Sequence, residues 1–303
     1  KLTKITITAL LCALLILALL AAVQMLFLTG TPSAEYWSET DTFDADTVSQ
    51  LVKADGEDFT ILLLADVQLG NSIAKDREAL QMVDELILET NPDFIMTTGD
   101  NGYFILTDFM TKKVISRLES YGIPWGTTLG NHDTDGLADR NWIGSQYENA
   151  ENSLFEMGPS NIHGVGNYVV NVTDSAGNVI YSLIVLDSNV HREYEDGWDE
   201  DFIYYDQIKW YEWVVTSQGD VPSMLFFHIP LPEYAVAGAL YESGDLTGPT
   251  AFGENHETVC CPPVNSGLFD KILELGSTTH VFVGHDHINS LSVDYMGVRL
   301  TYT

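Results

Sequence analysis

Five short stretches of this sequence carry residues able to hold hard metal ions: Asp66-Val67-Gln68, Gly99-Asp100-Asn101, Gly130-Asn131-His132-Asp133, His228 within Phe226-Phe227-His228-Ile229-Pro230, and Gly284-His285-Asp286-His287. Carboxylate and amide oxygens combined with imidazoles suit Fe, Mn, Zn or Mg, and the set lacks the thiolates that a structural zinc site prefers. Cations held this way support hydrolysis, because they lower the pKa of water and neutralise an anionic substrate. Singly, each stretch is ordinary. Asp66 reads equally as a turn or helix-cap residue, Asn131 after Gly130 as turn chemistry, and Gly-His-Asp-His as a loop. His228 between Phe227 and Ile229 reads equally as a core histidine. What sets them apart is their order and placement: each follows an apolar stretch with the pattern of a buried strand.

Those stretches are the elements that must position the donors. Phe59–Ala65 is a continuous apolar run, as expected of a strand buried on both faces. Asp93–Thr98, Trp125–Leu129, Ser223–His228 and His280–Val283 read as further core strands. Helical spacing covers Asp76–Thr90, Phe109–Tyr121 and Asp206–Thr216, with a further helix within Val264–Leu275. Asn167–Val172 and Ile180–Leu186 are β-branched runs around a turn at 174–178, and Ser290–Thr303 reads as two short strands around Met296-Gly297. The alternation predicts an α/β sheet sandwich. In such sheets ligands bind at the carboxyl ends of the strands, so the five stretches can meet in one crevice.

Composition narrows the chemistry. The 303 residues include 44 acidic and 13 basic side chains, a net charge of −31, with 45% hydrophobic and 11% aromatic residues. That is too apolar for a disordered chain and too acidic for a nucleic-acid partner, which needs clustered Lys and Arg. From Ile5 to Leu28 no residue is charged, and 24 helical residues span about 36 Å, enough for the ~30 Å hydrocarbon layer. Lys1 and Lys4 precede the run and Glu35, Glu39 and Asp41 follow it, which predicts a membrane anchor with the body outside the cytoplasm. A cleaved signal peptide is the competing reading, and it also exports the body. Residues 1–34 are thus assigned to the anchor or signal, 35–58 to a linker and lead-in, and 59–303 to the domain. Cys12 lies in the apolar run, and the adjacent Cys260 and Cys261 offer no disulfide framework. The sequence starts without Met, as a piece of a longer chain would.

Taken together, the series Asp-x-Gln, Gly-Asp, Gly-Asn-His-Asp, His and Gly-His-x-His resembles the calcineurin-like metallophosphoesterase superfamily from Asp66 through His287. Thr98–Asn101, Phe227–Tyr234 with Val264–Gly267, and Val283–Asn289 are most similar to the purple-acid-phosphatase-like group. The resemblance implies a four-layer αββα sandwich with a two-metal centre at its edge. It implies that Asp66, Gln68 and His287 hold one metal, that Asp100 bridges, and that Asn131, His228 and His285 complete the second. His132 would sit beside the scissile phosphate as the catalytic residue, able to protonate the leaving oxygen. Two Fe, Mn or Zn ions, of divalent or mixed valence, are the implied cofactors, with attack by a metal-activated hydroxide. The commoner first motif has His where this chain has Gln68, a neutral and weaker donor. Gly99–Tyr103 matches the Gly-Asp-x-x-Tyr of true purple acid phosphatases, where the tyrosine binds iron, so Tyr103 is a possible additional ligand or else a wall of the pocket. Relatives usually continue beyond this point with closing strands, so the domain is expected to be truncated at its C-terminal end.

The expected function is therefore hydrolysis of phosphate esters, with phosphomonoesters favoured. Phosphodiesters and nucleotides come second, and a metal-binding surface protein that has lost catalysis is the rival outside enzymology. No Gly-x-Ser-x-Gly elbow offers nucleophilic serine chemistry. His163, His191, His256 and His280 fit no motif, and the tryptophans read as buried aromatics. The acidic stretch Glu193–Asp201 lacks an EF-hand pattern and reads as a solvated surface. Asn171-Val172-Thr173 is a glycosylation sequon. The loops 136–166 and 232–263 would set substrate choice.

Overall fold

The computed structural model describes residues 4–246 and 251–303. A first helix, α1 (Lys4–Phe27), precedes the domain. Its side chains are described over residues 6–22, and among the described residues no helix is long and apolar enough to cross a membrane. Strand β1 (Ser49–Val52) follows inside the segment read as a linker. Then come β2 (Ile61–Leu64), α2 (Ile73–Thr90), β3 (Phe94–Thr97), α3 (Thr107–Glu119), β4 (Trp125–Thr127) and α4 (Arg140–Glu148). The second half holds β5 (Tyr168–Thr173), β6 (Val179–Val185), β7 (His191–Tyr194), β8 (Gly197–Glu200), α5 (Tyr205–Gln218), β9 (Ser223–Phe226) and α6 (Pro232–Ser243). It closes with α7 (Leu268–Leu275), β10 (Thr278–Val283), β11 (Ser292–Tyr295) and β12 (Val298–Tyr302).

Two sheets face each other. One has the order β1-β5-β6-β9-β10-β12-β11 and the other is the parallel trio β2-β3-β4. Alternate residues of the larger sheet enter different cores, as the two-residue period of a strand requires. Ile184, Leu225, Phe227, Val281 and Val283 pack with Tyr211 and Val214 of α5 and Ile272 of α7. Leu183, Val185 and Phe226 instead join Ile95, Met96 and the Leu80, Val83, Val114 and Leu118 faces of α2 and α3. Tyr168 Oη links the sheets directly, donating to Thr127 O at 2.9 Å and accepting from Thr127 N at 3.1 Å. The result is an α/β sandwich with helices outside both sheets.

Local chemistry explains the elements that carry the site. All four residues of β3 are buried, which an apolar Phe-Ile-Met-Thr run between two layers requires. Ser72 caps α2 by accepting from Lys75 N, and Asn91 ends it in the left-handed conformation. Asp174 Oδ1 accepts the amides of Ala176 and Asn178, closing the turn between β5 and β6.

Several expectations are corrected. The stretch 193–201 is mostly exposed, as read, but contains most of a two-stranded hairpin, β7–β8. Trp198 is exposed, whereas Trp125 and Trp210 are buried as read. Strand β10 begins at Thr278, two residues before the expected start at His280, whose ring stacks on Phe282. Asn171 of the sequon is fully buried in β5, so a folded domain cannot present it for glycosylation. Helices α4 and α6 occupy parts of the two segments read as loops.

Candidate metal centre

The carboxyl ends of β2, β3, β4, β9 and β10 meet at one edge of the sandwich, and the motif residues follow them there. Asp66, Asp100 and His228 bring ligand atoms within 4.8 Å of one another. Asn131 Oδ1 lies 2.9 Å from His228 Nε2 and 3.0 Å from His285 Nδ1. Asp66 Oδ1 lies 3.6 Å from His287 Nε2, which in turn is 3.0 Å from Gln68 Nε2. Asp100 Oδ2 stands between the groups, 3.4 Å from Gln68 Nε2 and 3.4 Å from His228 Nε2. The seven residues expected as donors thus lie close together, with Asp100 Oδ2 near both Gln68 and His228.

The backbone is strained where the donors sit. Asp66, Gln68, Asp100 and His285 have φ of 51°, 44°, 52° and 77°, values that non-glycine residues adopt at a cost of order 1–3 kcal/mol in sparsely populated regions. The preceding glycines make the close approach possible. A Cβ on Gly130 would meet Asp100 Oδ1 at 2.1 Å, and one on Gly284 would meet Asp66 Oδ2 at 2.7 Å.

Burial and charge fit a cation. Asp66 Oδ1 is buried with no hydrogen-bond partner, an acceptor aimed into the donor cluster. Burial raises the Asp66 carboxyl, against the pull of His228. Burial would likewise raise Asp100, but the adjoining His228 imidazole and His132 hold it well below the usual carboxylate range. Burial disfavours charge on His228, yet Asp100 and Asp66 push it up to about 10. His228 Nδ1 donates to Thr98 O at 2.7 Å, which leaves Nε2 facing Asn131 and Asp100. A proton on Nε2 and a cation at that atom are alternatives. Gln68 presents its amide nitrogen to His287 and Asp100, so serving as an oxygen donor requires a half-turn of its amide.

A family model described as calcineurin-like phosphoesterase matches residues 59–289. The chain belongs to the calcineurin-like phosphoesterase family. Among relatives, "Probable inactive purple acid phosphatase 14" of Arabidopsis thaliana is 29% identical over 255 residues, covering 75% of this chain and 61% of that protein. "Probable inactive purple acid phosphatase 29" of the same plant is 26% identical over 293 residues, covering 81% and 71%. "Phosphatase DCR2" of Saccharomyces cerevisiae is 29% identical over 282 residues, covering 82% and 47%. The chain therefore spans about three fifths of the first of these relatives. A dimetal phosphatase from Danio rerio shares the fold, with a TM-score of 0.53 at 13% identity over 80% of this chain and 86% of that one.

In this member of the calcineurin-like phosphoesterase family His132 lies at the rim of the cluster, partly exposed. Its backbone N–H donates to Asp100 Oδ1 at 2.8 Å, and its Nδ1 lies 2.8 Å from Asp135 Oδ2. A carboxylate only accepts, so Nδ1 carries a proton and Nε2 is free to face a ligand. Tyr103 packs its ring edge-on against His132, with centroids 4.9 Å apart.

Three groups have supporting roles that the sequence reading did not assign. Asp133 is fully buried and accepts the amides of Asp100, Gly130 and Gly102 at 3.0, 2.8 and 3.1 Å. Burial and the Asp100 charge push its carboxyl up to about 6. Arg140 pairs through two nitrogens with the buried Asp187 and donates to Gly130 O at 3.2 Å, clamping the loop that carries Asn131. Glu200, at the end of β8, places Oε1 3.4 Å from His285 Nε2 and Oε2 3.1 Å from His191 Nδ1. Only the proximity of Asp133 to the Gly-Asn-His motif offered a readable signal. Cys260 approaches His285 and Asp286, and burial and the Asp286 charge push its thiol up to about 11.

Proposed function

We propose that this protein is a two-metal phosphoesterase that hydrolyses phosphate esters, phosphomonoesters first. The observation that carries the reading is Asp100 Oδ2 standing between two donor groups, with a ring-anchored His132 beside them. Asp66, Gln68 and His287 would hold one ion and Asn131, His228 and His285 the other, with Asp100 shared. Ions bound there would supply positive charge to the phosphate and acidify a water. The chain's own residues do the rest. The His132 amide fixes Asp100, and Asp135 holds the His132 ring with Nε2 outward, where the doubly protonated imidazolium can hand its Nε2 proton to the departing oxygen and keep the one on Nδ1. The net charge of −31 opposes anion capture at long range, so turnover well below the diffusion limit is expected.

A silent metal-binding protein is the second reading. It draws on Gln68, whose amide presents nitrogen to the cluster, and on the word "inactive" in the names of two relatives. Release of p-nitrophenol from its phosphate monoester and bis-diester separates the readings. With Mn, Zn or Fe supplied, the proposal expects monoester hydrolysis, lost in Asp100→Ala and reduced about 10²–10⁴-fold in His132→Ala. A metal-loaded chain inert toward both esters would favour the silent reading.

We also propose that the uncharged run from Ile5 to Leu28 anchors or exports the domain beyond the cytoplasm. Protease accessibility in intact cells tests this; a protected domain would contradict it.

A further inference from the structure

An apolar ledge stands beside His132. Phe104, Ile105 and Leu106 form one 3₁₀ turn ahead of α3 and are 62%, 59% and 53% exposed, and Phe109 in the next turn is 62% exposed. Single exposed apolar residues are common on protein surfaces, but four within six positions form a patch of the kind that marks a binding surface. Two contacts hold the Phe104 end of this stretch beside the site. Asp135 Oδ2 accepts the Phe104 amide at 3.2 Å and lies 2.8 Å from His132 Nδ1, so one oxygen ties the ledge to the histidine. Tyr103 bridges them again, its ring edge-on to His132. Phe104 also has φ 63°, a conformation that costs a bulky side chain and that Asp135 helps to hold.

Charge indicates what the ledge would accept. A body with a net charge of −31 repels leaving groups that carry further phosphates or carboxylates, whereas an uncharged apolar alcohol adds no such penalty. We propose that Phe104, Ile105 and Leu106 form the leaving-group subsite and select phosphomonoesters of apolar alcohols. The inference rests on the phosphoesterase reading above, with His132 on the leaving-group side.

n-Hexyl phosphate and ethyl phosphate isolate the effect, since their leaving alcohols are of similar acidity and differ in apolar length. With the Mn-supplied full chain, kcat/KM from released phosphate should favour the hexyl ester about ten-fold or more, the effect of burying roughly two of its four extra methylenes. In the Ile105→Ser/Leu106→Ser variant, whose changes lie at exposed positions, that ratio should fall to about 1–3. A native ratio near one, or a ratio unchanged in the variant, would overturn the proposal. If neither ester is hydrolysed, calorimetric binding of hexylphosphonate and ethylphosphonate decides. Ten-fold tighter hexyl binding that the variant loses would uphold the ledge while the hydrolytic reading fails; equal binding would overturn the ledge.

Discussion

Asp66 Oδ2 accepts the backbone N–H of His285 at 3.0 Å, joining positions 219 residues apart in the chain and the ends of strands from the two different sheets. The donor cluster therefore exists only when both sheets are docked, and a cation that binds it must bind the folded state in preference to the unfolded one. At a hundred-fold excess over its Kd such a ligand adds about 2.7 kcal/mol to stability. For a domain of this size that corresponds to a rise in Tm of roughly 5–10 °C. Thermal unfolding with and without Mn or Zn should show it, and Asp66→Asn should remove most of it. An unchanged Tm at saturating metal would contradict the coupling.

Glu200 is expected to act through His285. Its half-buried carboxylate faces the Nε2 of a ring whose Nδ1 faces Asn131 and His228. Outer carboxylates of this kind orient a ligating imidazole and typically change metal affinity by about 10–100-fold. Chelator competition on Glu200→Gln should report a loss in that range for one of the two ions. Equal affinities in the two proteins would make Glu200 a mere structural neighbour.

The Arg140–Asp187 pair should matter to stability before it matters to chemistry. Asp187 is fully buried, and Arg140 is its bidentate partner. Arg140→Met removes that partner and leaves a buried charge uncompensated, a change that typically costs about 3–5 kcal/mol. Urea unfolding measures it, and a loss below about 1 kcal/mol would show that the amides of Val165 and Asn189 suffice for Asp187.

Much of the fold was legible because its central strands are short apolar runs that end in ligand-type residues. Phe59–Ala65 and Asp93–Thr98 gave β2 and β3 for that reason, and helix spacing gave α2, α3 and α5. The misses have physical causes. Strand β1 is four residues of mixed polarity that acquire order by pairing with β5. The β7–β8 hairpin alternates among charged residues on an exposed surface, so no hydrophobic period marks it, and Glu200 was hidden among acidic neighbours. Helix α6 did carry signals, Pro232 in its first turn and Gly244 past its end, which were outweighed by the surrounding Gly and Pro. At the site the donors were readable as residue types after strands. Their left-handed backbone and the pairing of Arg140 with Asp187 across 47 residues were not, since both arise from tertiary packing.

Stability should also depend on pH through a group far from the donors. Burial, with Glu35 and Glu148 nearby, pushes Glu156 up to about 7. A carboxyl raised in the folded state favours folding while protonated, so its contribution is complete below the unfolded value near 4.5 and is lost as pH rises through about 7. Urea unfolding at pH 5 and pH 8 should show Glu156→Gln gaining up to about 2 kcal/mol on the native chain at the higher pH. Parallel pH profiles for the two proteins would contradict the assignment.

The central claim is that the strand ends build a centre for two cations around Asp100. Elemental analysis of the purified, metal-supplemented chain tests it most directly. About two ions per folded chain are expected, with a fall toward one or none in Asp100→Ala. A well-folded native chain that retains fewer than one ion would contradict it.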